Sequence, residues 1–381
     1  MIITTIIFMI KINILRGTYS RREFHIKWTY WSLISYFKEE FNDLKIEFKF
    51  FTKLNNPKIY DCNFLFLDSP AFPQIKEKGK VNNYVDINFL KEINLKNNNL
   101  IWFDMRDSAG TTQFEVLPYV RKYVKRQLYK DQNFYKKHLY GGRYYTDFYN
   151  KNFGIIDEEE YHYELLNDKY KKKIILGWNV GVFKYFNWID FNKYDLYLEN
   201  LKFLFNIKTN RDVLLPMRGY QSQKKEYEIF FHCNKNMKRN SVRFQRSKLY
   251  ELLQQNYKNF SENYRISVGD YYKKIINSKI CVASIGWGEG TEREFIATTL
   301  GVPFLAPNMD HIDCWPNLYI ENKTYISYDL DFKNLKDKID NLLRDEPMQK
   351  ELVQNAQEVL RDIRNEKGKN YFIEKILQIT N

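Results

Sequence analysis

The chain has 381 residues, enough to bury a large core and, on length alone, better suited to two domains than to one. Lys and Arg number 60 against 47 Asp and Glu, a formal charge of +13 that points to an anionic partner such as a nucleotide. The basic residues are scattered and form no tract of the nucleic-acid type, and no nucleic-acid partner is expected; the four widely spaced cysteines, Cys62, Cys233, Cys281 and Cys314, argue against a disulfide framework or a zinc knuckle and suit a cytoplasmic protein.

The opening run MIITTIIFM is apolar but too short to span a bilayer, and it lacks the basic flank and cleavage site of a secretory leader, so any membrane contact would be peripheral. Residues 11–16, KINILR, alternate polar and apolar and end at Gly17, and Phe24 to Phe37 then carries apolar residues at helical spacing. Strand, glycine turn and helix open a Rossmann-like unit, but no G-x-G-x-x-G follows, so no dinucleotide cofactor is expected. Further strands are predicted at Lys45 to Phe51, Asn63 to Leu67 and Leu100 to Phe103.

The last of these runs into Asp104-Met105-Arg106-Asp107-Ser108-Ala109-Gly110-Thr111-Thr112, which is what the ligand-facing edge of a parallel sheet looks like. Asp104 or Asp107 is a candidate base for an acceptor hydroxyl; the competing reading has Asp107 and Ser108 cap a turn while Asp104 pairs with Arg106 or Arg121. Tyr123 to Tyr140, basic and aromatic, reads as an amphipathic helix with a solvated Lys face. A strand follows within Lys171 to Val182, then a helix at Tyr194 to Asn206, with the domain boundary near residue 205.

The second domain begins with a strand at Tyr227 to Cys233, followed by a basic loop and a helix capped by Ser241 that carries Arg243, Arg246 and Lys248. A basic loop entering a helix is well placed to neutralise a diphosphate. The apolar strand Ile280 to Ala283 then meets the turn Gly286-Trp287-Gly288-Glu289-Gly290, Thr291 caps a helix, and Gly301 stops it before a strand at Val302 to Leu305. Free backbone N–H groups at such a turn suit a phosphate. Asp310, His311 and Asp313 follow in a spacing that fits no metal pattern, and no metal is expected. Helices are predicted at Phe332 to Leu343, Pro347 to Arg364 and Gly368 to Ile379.

Ser278-Lys279-Ile280-Cys281-Val282, the Gly-Trp-Gly-Glu turn, Arg293-Glu294-Phe295, Gly301-Val302-Pro303 and Trp315-Pro316-Asn317 together resemble the donor-binding half of GT-B glycosyltransferases, particularly the exostosin-like and the bacterial and viral polysaccharide branches. Ile296 stands where that pattern has a Glu three residues after its Arg. The resemblance implies an α/β chain of two Rossmann-like domains facing across a cleft, residues 1–205 and 206–365, with residues 366–381 as a helix crossing back to the first. It implies a nucleotide-diphosphate sugar as donor substrate rather than a cofactor, a glycan, lipid-linked or protein hydroxyl as acceptor, and no metal. The donor's diphosphate would lie against Gly286, Trp287, Gly288, Gly290 and Thr291 and against Lys238, Arg239 or Arg243. Arg293 would help orient the donor or its leaving group, and Glu289, Glu292 or Glu294 would bond donor hydroxyls. An inverting reaction would take its base from Asp104, Asp107 or His25. The alternatives are a non-catalytic glycan- or nucleotide-binding protein on the same scaffold, which Ile296 favours, and a basic nucleic-acid-binding protein.

Overall fold

The structure is a computed structural model that describes residues 9–16, 30–76, 83–157, 163–179, 217–234, 236–261 and 266–381. His25, Gly17, the helix expected at Tyr194 to Asn206 and the boundary near residue 205 lie outside the described residues.

The first domain is built on a six-stranded sheet of β1 (Ile10–Leu15), β2 (Ile46–Phe51), β3 (Phe64–Asp68), β6 (Leu100–Asp104), β7 (Lys122–Lys125) and β9 (Ile174–Leu176), in the order β2-β1-β3-β6-β7-β9. Every pairing in it is parallel. Its central strands are buried on both faces, so they read as nearly continuous apolar runs such as LIWFD. Helical residues 30–36, α1 (Lys38–Asp43) and α2 (Ile87–Lys96) accompany the sheet, and β4 (Gln74–Lys76) pairs antiparallel with β5 (Asn83–Val85).

The second domain repeats the plan. Strands β10 (Tyr227–Phe230), β11 (Phe260–Ser261), β12 (Ser278–Val282), β13 (Phe304–Pro307) and β15 (Ile326–Tyr328) run parallel in the order β11-β10-β12-β13-β15. Helices α4 (Asn240–Asn256), α5 (Val268–Ile276) and α6 (Glu292–Thr299) connect them, α3 (Tyr144–Phe153) having come earlier in the first domain. In both sheets the second strand lies outside the first and the third on its other side, so each has one switch point where neighbouring connections leave in opposite directions. These are two Rossmann-like domains.

After α7 (Leu335–Arg344) and α8 (Glu346–Asp362), α9 (Glu366–Thr380) returns to the first domain. Its Phe372 packs against Phe37, Phe41 and Trp178, with ring centroids 5.8, 5.9 and 4.9 Å away. No described helix is long and apolar enough to cross a membrane.

One expected helix is absent. Within Tyr123 to Tyr140 the chain forms β7 and then β8 (Gln127–Tyr129), followed by a short 3-10 turn, Gln132–Lys136. Residues 123–129 are all buried, including Lys125 and Arg126, whose charges are matched inside the protein rather than by water. Strand β8 pairs antiparallel with β14 (Ile312–Cys314), matching Ile312 with Tyr129, Asp313 with Leu128 and Cys314 with Gln127. Since β8 belongs to the first domain and β14 to the second, this ladder ties the two together.

Candidate functional site

The switch point of the second sheet lies between β10 and β12, whose ends lead into His232-Cys233-Asn234 and Ser284-Ile285-Gly286. Arg246 bridges these two exits. Helix α4 buries Val242, Leu249 and Leu253, and Arg246 shares their face at i+4 from Val242. From there Nη1 donates to the Asn234 carbonyl at 3.0 Å and Nη2 to the Ile285 carbonyl at 3.3 Å, while Nε has no protein partner. Burial, and then the charge of Arg293, lower its pKa to about 10.

Arg293 comes from the first turn of α6. Thr291 caps that helix by accepting from the Arg293 N–H at 3.3 Å, and Gly301, at φ +75°, ends it in the left-handed conformation. The guanidinium reaches the Ser284 hydroxyl at 3.4 Å with Nη1 and leaves Nε without a protein partner. Burial and the nearby charges of Arg293 and Lys274 hold His232 down to about 4, so it is neutral at physiological pH. Two guanidiniums, each with an Nε–H that no protein group accepts, thus stand at the switch point of the second sheet.

The glycine turn docks on the first domain. A Cβ on Gly288 would sit 2.0 Å from the Asp107 carbonyl oxygen. Glu289 is fully buried: Oε1 accepts from the Ser108 hydroxyl at 2.9 Å, and Oε2 accepts from the Ala109 N–H and the Gln127 amide, both at 3.0 Å. The Trp287 carbonyl accepts from Arg143 Nε at 3.2 Å and the Tyr145 hydroxyl at 3.1 Å. The Trp287 ring itself is 44% exposed, with the Arg239 guanidinium 4.7 Å from its centroid. Glu289 is thus a pin between domains rather than a group offered to donor hydroxyls.

The other expected residues divide sharply. Asp104 is buried and ion-paired to Lys125 at 2.9 Å, both side chains wholly enclosed, and it accepts from the Tyr123 hydroxyl and the Arg106 N–H. A carboxylate so enclosed meets no acceptor, which corrects its candidacy as a base; its partner is Lys125, not Arg106 or Arg121 side chains. Asp107 has a side chain 54% exposed and 3.2 Å from Arg126. Of the basic loop, Lys238 and Arg243 are exposed, Arg243 bonding Asn240 on its own helix. Arg239 is turned inward, 3.8 Å from Asp157.

Ser241 does not cap its helix. Arg239 is the N-cap residue, and Asp157 of the first domain supplies the capping carboxylate, accepting from the Ser241 N–H at 2.7 Å and its hydroxyl at 2.9 Å. Glu292 and Glu294 sit on the first turn of α6. Burial raises both to about 7; Arg126 opposes and Asp107 reinforces the rise at Glu292, while Arg293 opposes it at Glu294. Ile296 is buried in the core. His311 stacks on Tyr144 at 4.4 Å beside the interdomain ladder.

Arg246, Arg126, Gln127 and Asp157 were not singled out by motif. Arg246 alone carried a readable signal, a cation on the apolar face of its helix.

Comparison with known proteins adds the following. No family model matches the chain, and none of the curated proteins matches it. Among solved structures, a glycosyltransferase from Rickettsia africae ESF-5 aligns over 98% of both chains at 12% identity with a TM-score of 0.44. An alpha-glucosyltransferase in complex with UDP and a DNA containing an HMU base aligns over 98% of this chain and 100% of its own, at 10% identity and TM-score 0.42. UDP-N-acetylglucosamine 2-epimerase from Rickettsia bellii covers 98% and 97% at 9% identity and TM-score 0.37. At these values the neighbours speak to neither activity nor substrate.

Proposed function

We propose that this protein transfers a sugar from a nucleoside-diphosphate donor to an acceptor hydroxyl. The observation that carries the reading is the pair of arginines, Arg246 and Arg293, at the switch point of the second sheet, each with an N–H that no protein group takes. The step that costs most is release of the diphosphate, whose charge grows as its bond to the anomeric carbon breaks. Arg246 and Arg293 stabilise that charge without waiting for solvent to reorganise. His232, held neutral, adds no competing charge. As the acceptor oxygen bonds the anomeric carbon, its proton passes to Asp107, the exposed one of the two aspartates, which Arg126 holds in place by an ion pair at 3.2 Å. Glu294 offers Oε1, which has no protein partner, as the ribose-bonding carboxylate that Ile296 is not. The acceptor is a glycan, lipid-linked or protein hydroxyl.

A thermal-shift panel of nucleoside diphosphates and their sugar conjugates, run without added metal, tests the donor site. A ligand at a hundred times its dissociation constant stabilises the folded state by roughly 2.7 kcal/mol. One nucleotide should shift the wild type selectively and shift neither Arg246→Ala nor Arg293→Ala. No shift across the panel would sink the reading. The second reading, a nucleotide-binding protein without transfer activity, is favoured by the apolar Ile296, and it predicts the same shift with no consumption of any sugar nucleotide.

A further inference from the structure

The first sheet is parallel throughout, so its six strands all enter at one edge and all leave at the other, where Asp68, Asp104 and Lys125 are buried. The entry edge is different in kind. In sheet order it presents Lys45 ahead of β2, Met9 ahead of β1, Leu95 and Lys96 ahead of β6, Arg121 ahead of β7, and Lys171 and Lys172 ahead of β9, each of them exposed. Leu95 is 90% exposed, Met9, where the apolar opening run of the sequence ends, 55%, and Leu44, beside Lys45, 43%. Of the carboxylates nearby, Asp61 and Asp168 are already paired, with Lys11 at 3.4 Å and Lys136 at 2.5 Å, while Asp43 and Glu92 remain against the cations. Arg121 also donates to the Asn381 main-chain oxygen at 2.7 Å.

The aromatic rings along this edge decide between anionic partners. Lys96 lies 5.1 Å from the ring centre of Tyr60, Lys91 5.4 Å from that of Tyr119, and Arg121 5.7 Å from that of Phe64. Lys169 and Lys173 lie 4.7 and 5.1 Å from that of Tyr170. A single-stranded nucleic acid needs open rings on which its bases stack, and each of these rings already carries a cation of the chain itself. A bilayer needs no ring: lipid phosphates take the ammonium groups, and aliphatic side chains enter between the headgroups. We propose that the strand-entry edge of the first domain docks on a membrane surface bearing anionic phospholipids, with Lys45, Lys96, Lys171 and Lys172 on the headgroups and Met9, Leu44 and Leu95 inserted among them. The inference is independent of the transfer reading. Arg246 and Arg293 belong to the second domain, and the ligand-facing edge of the first sheet lies at the opposite ends of its strands, so lipid binding and nucleotide binding are separate measurements.

Co-sedimentation of the full chain with unilamellar vesicles tests this. The protein should pellet with phosphatidylcholine vesicles that contain phosphatidylglycerol and stay in solution with phosphatidylcholine alone, and added sodium chloride should release it. Lys171→Glu/Lys172→Glu should lower the partition coefficient at least about tenfold, and Leu95→Ser at least about threefold. Each should keep the wild-type melting temperature, because all three side chains are exposed. Since the chain carries a formal +13, a control reverses as much charge elsewhere: Lys248→Glu/Lys350→Glu, at exposed positions of the second domain, should stay within about threefold of the wild type. No pelleting with the anionic vesicles would overturn the proposal. So would equal loss in the two double variants, which would reduce the attraction to net charge, or tighter binding of single-stranded DNA than of vesicles through Lys171 and Lys172, which would hand the surface to nucleic acid.

Discussion

Asp104 and Asp107 stand three residues apart and meet opposite surroundings. Asp104 holds Lys125 in a closed pair, so Asp104→Asn strands a buried ammonium and should cost about 3–5 kcal/mol in urea unfolding. Asp107→Asn, at a side chain half open to solvent, should lower the urea midpoint far less than Asp104→Asn while abolishing transfer. Glu294 carries a pH signature. Its folded value of about 7 exceeds its ordinary 4.5, so the native state binds the extra proton between those values. The resulting stabilisation is complete below pH 4.5 and is lost as pH rises through 7. Glu294→Gln should therefore lose less melting temperature than the wild type between pH 5 and pH 8. His232, with its depressed value, works in the opposite direction but is common to both proteins and drops out of the difference. At this scale the sequence pointed to Arg293 through its motif, whereas Asp157 capping Ser241 joins residues 84 positions apart and leaves no local trace.

The unit from β12 through α6 to β13 was legible because glycines, a Thr cap and apolar runs all agree locally. Residues 123–129 were not legible. Their paired cations, Lys125 and Arg126, read as part of a solvated helix face, and only the fold brings Asp104 to Lys125, 21 positions away, to make a buried strand possible. The turn itself offers a matched pair of substitutions. Gly288→Ala forces a methyl to within 2.0 Å of the Asp107 carbonyl and should destabilise by roughly 1–3 kcal/mol, whereas Gly286→Ala meets nothing closer than a Thr291 methyl at 3.5 Å. Calorimetry should find Gly286→Ala within about 1 kcal/mol of the wild type. Equal losses would show that the turn is not pressed against the first domain.

At the scale of the molecule, the two domains share more than an open cleft. The closing helix α9 inserts Phe372 among Phe37, Phe41 and Trp178, and Phe372→Ala should cost about 3–5 kcal/mol and loosen the first domain, read as a fall in the urea midpoint. The two Rossmann-like domains and the returning helix were expected from a resemblance carried by the last third of the chain; the strand orders were not. The ladder between β8 and β14 did not, because a three-residue pairing across domains has no signature in either strand. That ladder ties mutational histories together as well as domains. The strand that binds β14 also presents Gln127 to Glu289 and follows directly on Arg126. Side chains alternate along a strand, so inserting or deleting one residue near 126 would turn each of them to the wrong side and break the pairing at once. Lineages can drift in the residues that this stretch carries, but its reading frame is inherited whole or the two halves come apart.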